Sequence, residues 1–124
     1  VEREFFSGFI KIHILYHAAK HEIYGAEIAR ELETHGYHVS SGTLYPTLHR
    51  LESRGYLKME QRIVEGRRRK FYTITPAGRK ALGAAREKIT ELVAEVIEGA
   101  PTGTIKPRAE RKKKGTGGQR GQGS

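Results

Sequence analysis

A chain of 124 residues holds one hydrophobic core with an appendage and leaves no room for two full cores. Its 23 Lys+Arg against 14 acidic residues, all of them Glu, give a formal charge of +9, which favours a polyanionic partner, nucleic acid first, over an acidic small molecule. The absence of cysteine excludes disulfides, thiolate catalysis and cysteine-ligated zinc.

No run nears the roughly 18 apolar residues that a membrane span needs, so no membrane partner is expected. Glu2, Arg3 and Glu4 lead straight into an amphipathic segment, unlike the start of a signal peptide, and the expected location is the cytoplasm. Over residues 4–20, Phe5, Phe6, Phe9, Ile10, Ile12, Ile14 and Leu15 form an apolar arc too wide for a helix that is wet along one full side. Gly25 opens a second helix, with Ile28, Ala29 and Leu32 inward and Gly36 as its stop. Tyr37, His38 and Val39 make a short extended link. Ser40 or Ser41 then caps a third helix with Leu44, Leu48 and Leu51 as its buried stripe and Gly55 as its end.

Period-two alternation follows, with Leu57, Met59 and Ile63 on one side. A turn at Glu65 and Gly66 leads into Lys70–Ile74, where Tyr72 and Ile74 face inward, so the pair is a hairpin with arginines at its tip. Thr75 and Pro76 suit the N-cap and first position of a last helix running to about Glu98. Beyond it the composition turns basic and Gly-rich. Residues 101–124 carry seven Lys/Arg and one Glu, which leaves about +3 for residues 1–100, and they contain no aromatic residue. The expected division is a winged helix-turn-helix at 1–75, a dimerisation helix at 76–99 and a disordered basic tail at 100–124.

Two short helices, a tight turn and a third helix fit helix-turn-helix geometry, and a hairpin behind them makes a winged helix, mainly α with a small β-hairpin. Thr43, Pro46, Thr47, His49, Arg50 and Ser53 lie off the leucine stripe of the third helix and are free to face a groove, although a plain solvated face would carry the same residues. Arg67, Arg68, Arg69 and Lys70 place four cations at the hairpin tip, where phosphates would neutralise their mutual repulsion. A charge run that only protects a sheet edge uses lysine more readily than arginine.

Tyr24-Gly25-Ala26-Glu27-Ile28, Ser41-Gly42-Thr43-Leu44-Tyr45-Pro46, Arg50-Leu51-Glu52, Gly55-Tyr56-Leu57 and Arg68-Arg69-Lys70-Phe71-Tyr72, with Thr75 and Gly78, resemble the PadR-type winged-helix repressors over roughly residues 9–82. Ala26 departs from the family's usual tyrosine, at a cost in local packing. The resemblance implies a homodimeric transcription regulator of the short form, usually a repressor of an inverted-repeat operator, often released from double-stranded DNA by a small molecule. It points to Ser40, Ser41, Thr43, Tyr45, Pro46, Thr47 and Arg50 as the reader set. Pro46 lacks an N–H and crowds the carbonyl of Gly42, so an irregular or tight first turn is expected there.

In the last helix Leu82, Ala85, Ile89, Leu92 and Val96 are spaced 3, 4, 3 and 4, with Val93 and Ile97 beside them, a coiled-coil-like seam. Arg79 and Lys80 near its start and Glu91, Glu95 and Glu98 near its end oppose the helix dipole, so outside packing must hold it. Pairing with a second subunit is expected, through these residues together with Phe5, Phe6 and Phe9; docking on its own domain is the alternative. Phe5, Phe6, Phe9 and Tyr16 are candidates to line an effector cavity between subunits, or else plain core.

His13, His17 and His21 recur every four residues, but His13 and His21 stand about 12 Å apart along the helix, and no cysteine or Asp completes a site. No metal and no cofactor are expected. Nothing resembles a nucleophile elbow, a phosphate loop or a catalytic carboxylate pair, and Glu27 and Glu31 read as an ordinary helix face, so an enzyme is not expected. The rival is an architectural protein that binds nucleic acid through its tail without regard to sequence.

Overall fold

The structure is a computed structural model that describes residues 2–99. The tail expected at 100–124 lies outside the described residues. The elements run α1 (Glu2–Lys20), β1 (Ile23–Tyr24), α2 (Gly25–Thr34), α3 (Ser41–Ser53), β2 (Leu57–Val64), β3 (Arg67–Ile74) and α4 (Pro76–Leu92), with a π-helical turn over Val93–Ile97.

Both short helices end as their glycines suggest. After α2, the Tyr37 N–H donates to the Leu32 carbonyl and the Gly36 N–H to that of Glu33. After α3, Tyr56 and Gly55 repeat the same two bonds to Leu51 and Glu52. These are paired Schellman closures, which satisfy carbonyls that a helix end would otherwise leave bare. At the start of α2 the Glu27 carboxylate accepts the Tyr24 N–H at 3.1 Å, so this acid is spent on capping.

Strands β2 and β3 are joined by Glu65 (φ 53°) and Gly66 (φ 76°), and the positive φ at both central positions defines a type I′ turn. Leu57 pairs with Ile74, Met59 with Tyr72 and Val64 with Arg67. The sheet also gains β1, unforeseen from the sequence, which pairs Ile23 with Tyr72 and Tyr24 with Phe71 in the order β1-β3-β2. Two residues are too few for periodicity to reveal a strand.

Ile14, Ile28, Leu32, Leu44 and Leu48 are wholly buried, and Ile10, Leu15, Ile23, Leu51, Leu57, Tyr72 and Leu82 complete a core fed by every element of the domain. Ile63 has the expected parity but is 73% exposed, because the hairpin overshoots the core and pairs it with Arg68.

The chain forms two compact units, one up to Gly83 and one from Ala84 onward, so the first unit runs past Thr75 into α4. Within that first unit Thr75 ties the start of α4 to the end of α3. Its N–H donates to the Tyr56 carbonyl, its hydroxyl donates to the Gly55 carbonyl, and it accepts the Gly78 N–H at 3.0 Å. Gly78 is held so close that a Cβ would overlap the Tyr56 carbonyl oxygen. Leu82, expected in an intersubunit seam, is instead 3% exposed within its own domain's core. At the far end of the helix the Glu98 N–H donates to the Val93 carbonyl, the i+5 bond of the π-helical turn.

Candidate nucleic-acid interface

Ser40 is the N-cap of α3, with an extended backbone, and its carbonyl accepts from both Thr43 (3.0 Å) and Leu44 (2.8 Å). The Thr43 bond tightens the first turn, and the helix then continues through Pro46. Leu44, Leu48 and Leu51 anchor one side. On the other, Ser41, Gly42, Tyr45, Pro46, His49, Arg50 and Ser53 are exposed, and Ser40 is exposed just before them.

Two expected reader residues do different work. Thr47 is buried rather than presented, because its hydroxyl donates back to the Thr43 carbonyl at 2.8 Å. Its oxygen lies 3.5 Å from Arg50 Nη2, so it props the arginine that it was expected to stand beside. Tyr45 keeps 42% of its surface, yet its hydroxyl and ring edge lie against Gly25, where a Cβ would overlap them. It is a strut that sets α3 against the first residue of α2.

The hairpin presents its cations differently. Arg67, Arg68 and Lys70 are exposed, whereas Arg69 is half-buried with its guanidinium 4.5 Å above the Tyr24 ring. Arg62 stands opposite Arg69 in the ladder, and like charges so placed are unfavourable by themselves. The outer face relieves them. Arg62 lies 4.1 Å over the Phe71 ring and donates to Glu22 Oε1 at 2.6 Å and to Glu60 Oε1 at 3.3 Å. Arg30 and Arg69 beside the Tyr24 hydroxyl hold its pKa below the usual tyrosine range. The sequence offered Tyr24 only as part of the family-like motif and did not single out Arg30, since the pairing of β1 with β3 is what brings Tyr24 to the arginine hairpin.

This geometry has known counterparts. The family model described as the transcriptional regulator PadR-like family matches residues 14–84. The chain belongs to this family. "Transcriptional regulator Rv3488" of Mycobacterium tuberculosis (strain ATCC 25618 / H37Rv) is 55% identical over 97 residues, which are 78% of this chain and 91% of that protein. Among solved structures, a PadR-like transcriptional regulator from Bacillus cereus strain ATCC 14579 superposes with a TM-score of 0.69 at 28% identity, covering 77% of this chain and 94% of its own. A transcriptional regulator from Clostridium thermocellum does so with a TM-score of 0.66 at 31% identity, covering 77% and 96%. PadR-like regulators act by binding DNA and are not enzymes.

Of the residues expected at a dimer contact, Phe5 (75% exposed), Phe9, Leu92 and Val96 are exposed, while Phe6, Ala85, Ile89 and Val93 are half-buried. Tyr16 is also exposed, and Phe6 lines a cavity together with Ile10, Tyr37, Val39 and Thr43. Among the described residues no helix is long and apolar enough to cross a membrane.

Proposed function

We propose that this PadR-family regulator is a homodimeric repressor that reads an inverted-repeat operator in the cytoplasm. The observation that carries this is the exposed face of α3, Ser41 to Arg50, set beside a hairpin whose tip bears exposed Arg67, Arg68 and Lys70. An α-helix fits the major groove, Arg50 can bridge a guanine edge, and the hairpin cations suit phosphate or a narrow minor groove. Two-fold pairing rests on the uncovered apolar groups of each unit, Phe5 and Phe9 in one and Leu92, Val96 and Ile97 in the other. An organic effector would enter the cavity of about 600 Å³ beside Phe6, Tyr37 and Thr43, which abuts the first turn of α3.

The test is titration of the full chain with duplex DNA from upstream of its own gene and with random duplex of equal length. Two chains per upstream duplex and a preference of about 10³-fold or more are expected. Equal affinity for both duplexes overturns specific reading. Removal of residues 101–124 separates the architectural rival, since only that rival loses nearly all binding. Replacing Ile89 and Leu92 together by Glu is expected to give a monomer in sedimentation, because the seam would then bury unpaired charge.

A further inference from the structure

On α1, His13 and His17 stand at i and i+4 and so share a face, an arrangement that supplies two metal ligands and no more. The fold adds what the spacing lacked. His35 is the C-cap of α2, where the Gly36 closure ends the helix, and its ring stacks on that of His13 with centroids 4.4 Å apart. One ring nitrogen from each of His13, His17 and His35 lies within 4.8 Å of the other two. We propose that these three histidines form a binding site for a divalent transition metal of the zinc class, and that the ion clamps α1 to the end of α2.

Three observations support the site. His17 Nε2 is buried without a hydrogen-bond partner, a state that proteins seldom leave uncompensated and that a metal ion would resolve. Glu31, four residues before His35, brings Oε1 to 3.8 Å from that same nitrogen, beyond hydrogen-bonding reach but placed to supply a fourth ligand. Nitrogens sharing a tetrahedral zinc are about 3.3 Å apart, so the three nitrogens, now within 4.8 Å of one another, must draw closer as they bind. His35 is exposed and gives an ion its way in.

The position gives the site a consequence, which rests on the DNA-binding reading above. Five residues after His35 the chain reaches Ser40, the N-cap of α3. Fixing His35 against α1 therefore fixes the segment that enters the reader helix, and metal occupancy is expected to change operator affinity about 5- to 150-fold.

The test begins without DNA, on the tag-free full chain stripped by chelator and titrated calorimetrically with ZnCl₂ and spectroscopically with CoCl₂. One saturable ion per chain is expected, with strong visible cobalt absorption of a low-coordinate site. H17Q and H35Q are each expected to weaken binding more than tenfold, the least that loss of even an outer-shell partner costs, while H21Q and H38Q leave it unchanged. Circular dichroism and thermal melts check that the variants fold. No saturable binding, or isotherms unmoved by H17Q and H35Q, overturns the site. Fluorescence anisotropy on the upstream duplex with and without Zn²⁺ then tests the coupling: equal DNA affinity in both states overturns it, while the isotherms still decide the site. Failure to bind DNA in either state counts against the DNA reading, and the metal isotherms stand apart from it.

Discussion

Helix α3 and the hairpin carry their cations in opposite ways. Arg50 belongs to a helix whose floor is Leu44, Leu48 and Leu51, and it reaches the oxygen of Thr47, which is itself bonded to the Thr43 carbonyl. Arg67, Arg68 and Lys70 ride on a two-stranded ribbon beyond the core, with Ile63 bare beside them. A side chain that starts from a packed helix and meets a fixed hydroxyl can match a base edge in distance and angle, whereas exposed cations on a ribbon adapt to whatever phosphates arrive. The helix is built for geometry, and the hairpin tip for charge.

The largest effect that separates the two regions is one of stability. Leu48 is wholly buried under α3, so Leu48→Ala is expected to cost about 2–5 kcal/mol in urea unfolding. Ile63→Ala, at the bare end of β2, is expected to stay within about 0.5 kcal/mol. Comparable losses at both sites would show that the hairpin tip is packed as tightly as the helix floor and would remove the contrast.

The next effect is on recognition. Arg50→Ala is expected to weaken operator binding by about 1–3 kcal/mol and to change random-duplex binding little. Thr47→Val keeps the shape but removes the hydroxyl between Thr43 and Arg50, at about 1 kcal/mol of stability. If Thr47 props Arg50, the double variant loses no more operator affinity than Arg50→Ala alone. Additive losses in that double-mutant cycle would assign Thr47 a contact of its own.

Much of this contrast was legible in the sequence. The leucine stripe, the glycine stops, the Glu65-Gly66 turn and the arginine run each depend on local rules of period or dihedral angle, and these act within a few residues. What stayed hidden depends on contacts between distant segments. Thr47 looked exposed because its i–4 bond to the backbone leaves no mark on apolar periodicity. Leu82 fitted a heptad and the core of its own domain equally well, and only the Thr75–Tyr56 junction decides between them. His13 and His17 lacked a third ligand until α2 turned His35 towards them. The exposed side of α3 was therefore legible in the sequence, while the burial of Thr47 and the packing of Tyr45 against Gly25 were not.

The smallest effect tests the hairpin against itself. Arg68 is exposed, so Arg68→Ala removes charge and little else. It is expected to weaken operator and random duplex alike, and to flatten the log–log salt dependence of each by about one unit if it holds one phosphate. Arg69 carries the same formal charge but lies over Tyr24, so Arg69→Ala also loses a cation–π contact of about 0.5–1 kcal/mol at this half-exposed position. Arg69→Ala should therefore lower stability as well as DNA affinity, with a smaller change in salt slope because its guanidinium is already engaged. Parallel titrations at several salt concentrations, beside urea melts, read both quantities. An Arg68 variant that altered sequence preference while leaving the salt slope intact would place base reading on the hairpin and reverse the roles assigned to the two regions.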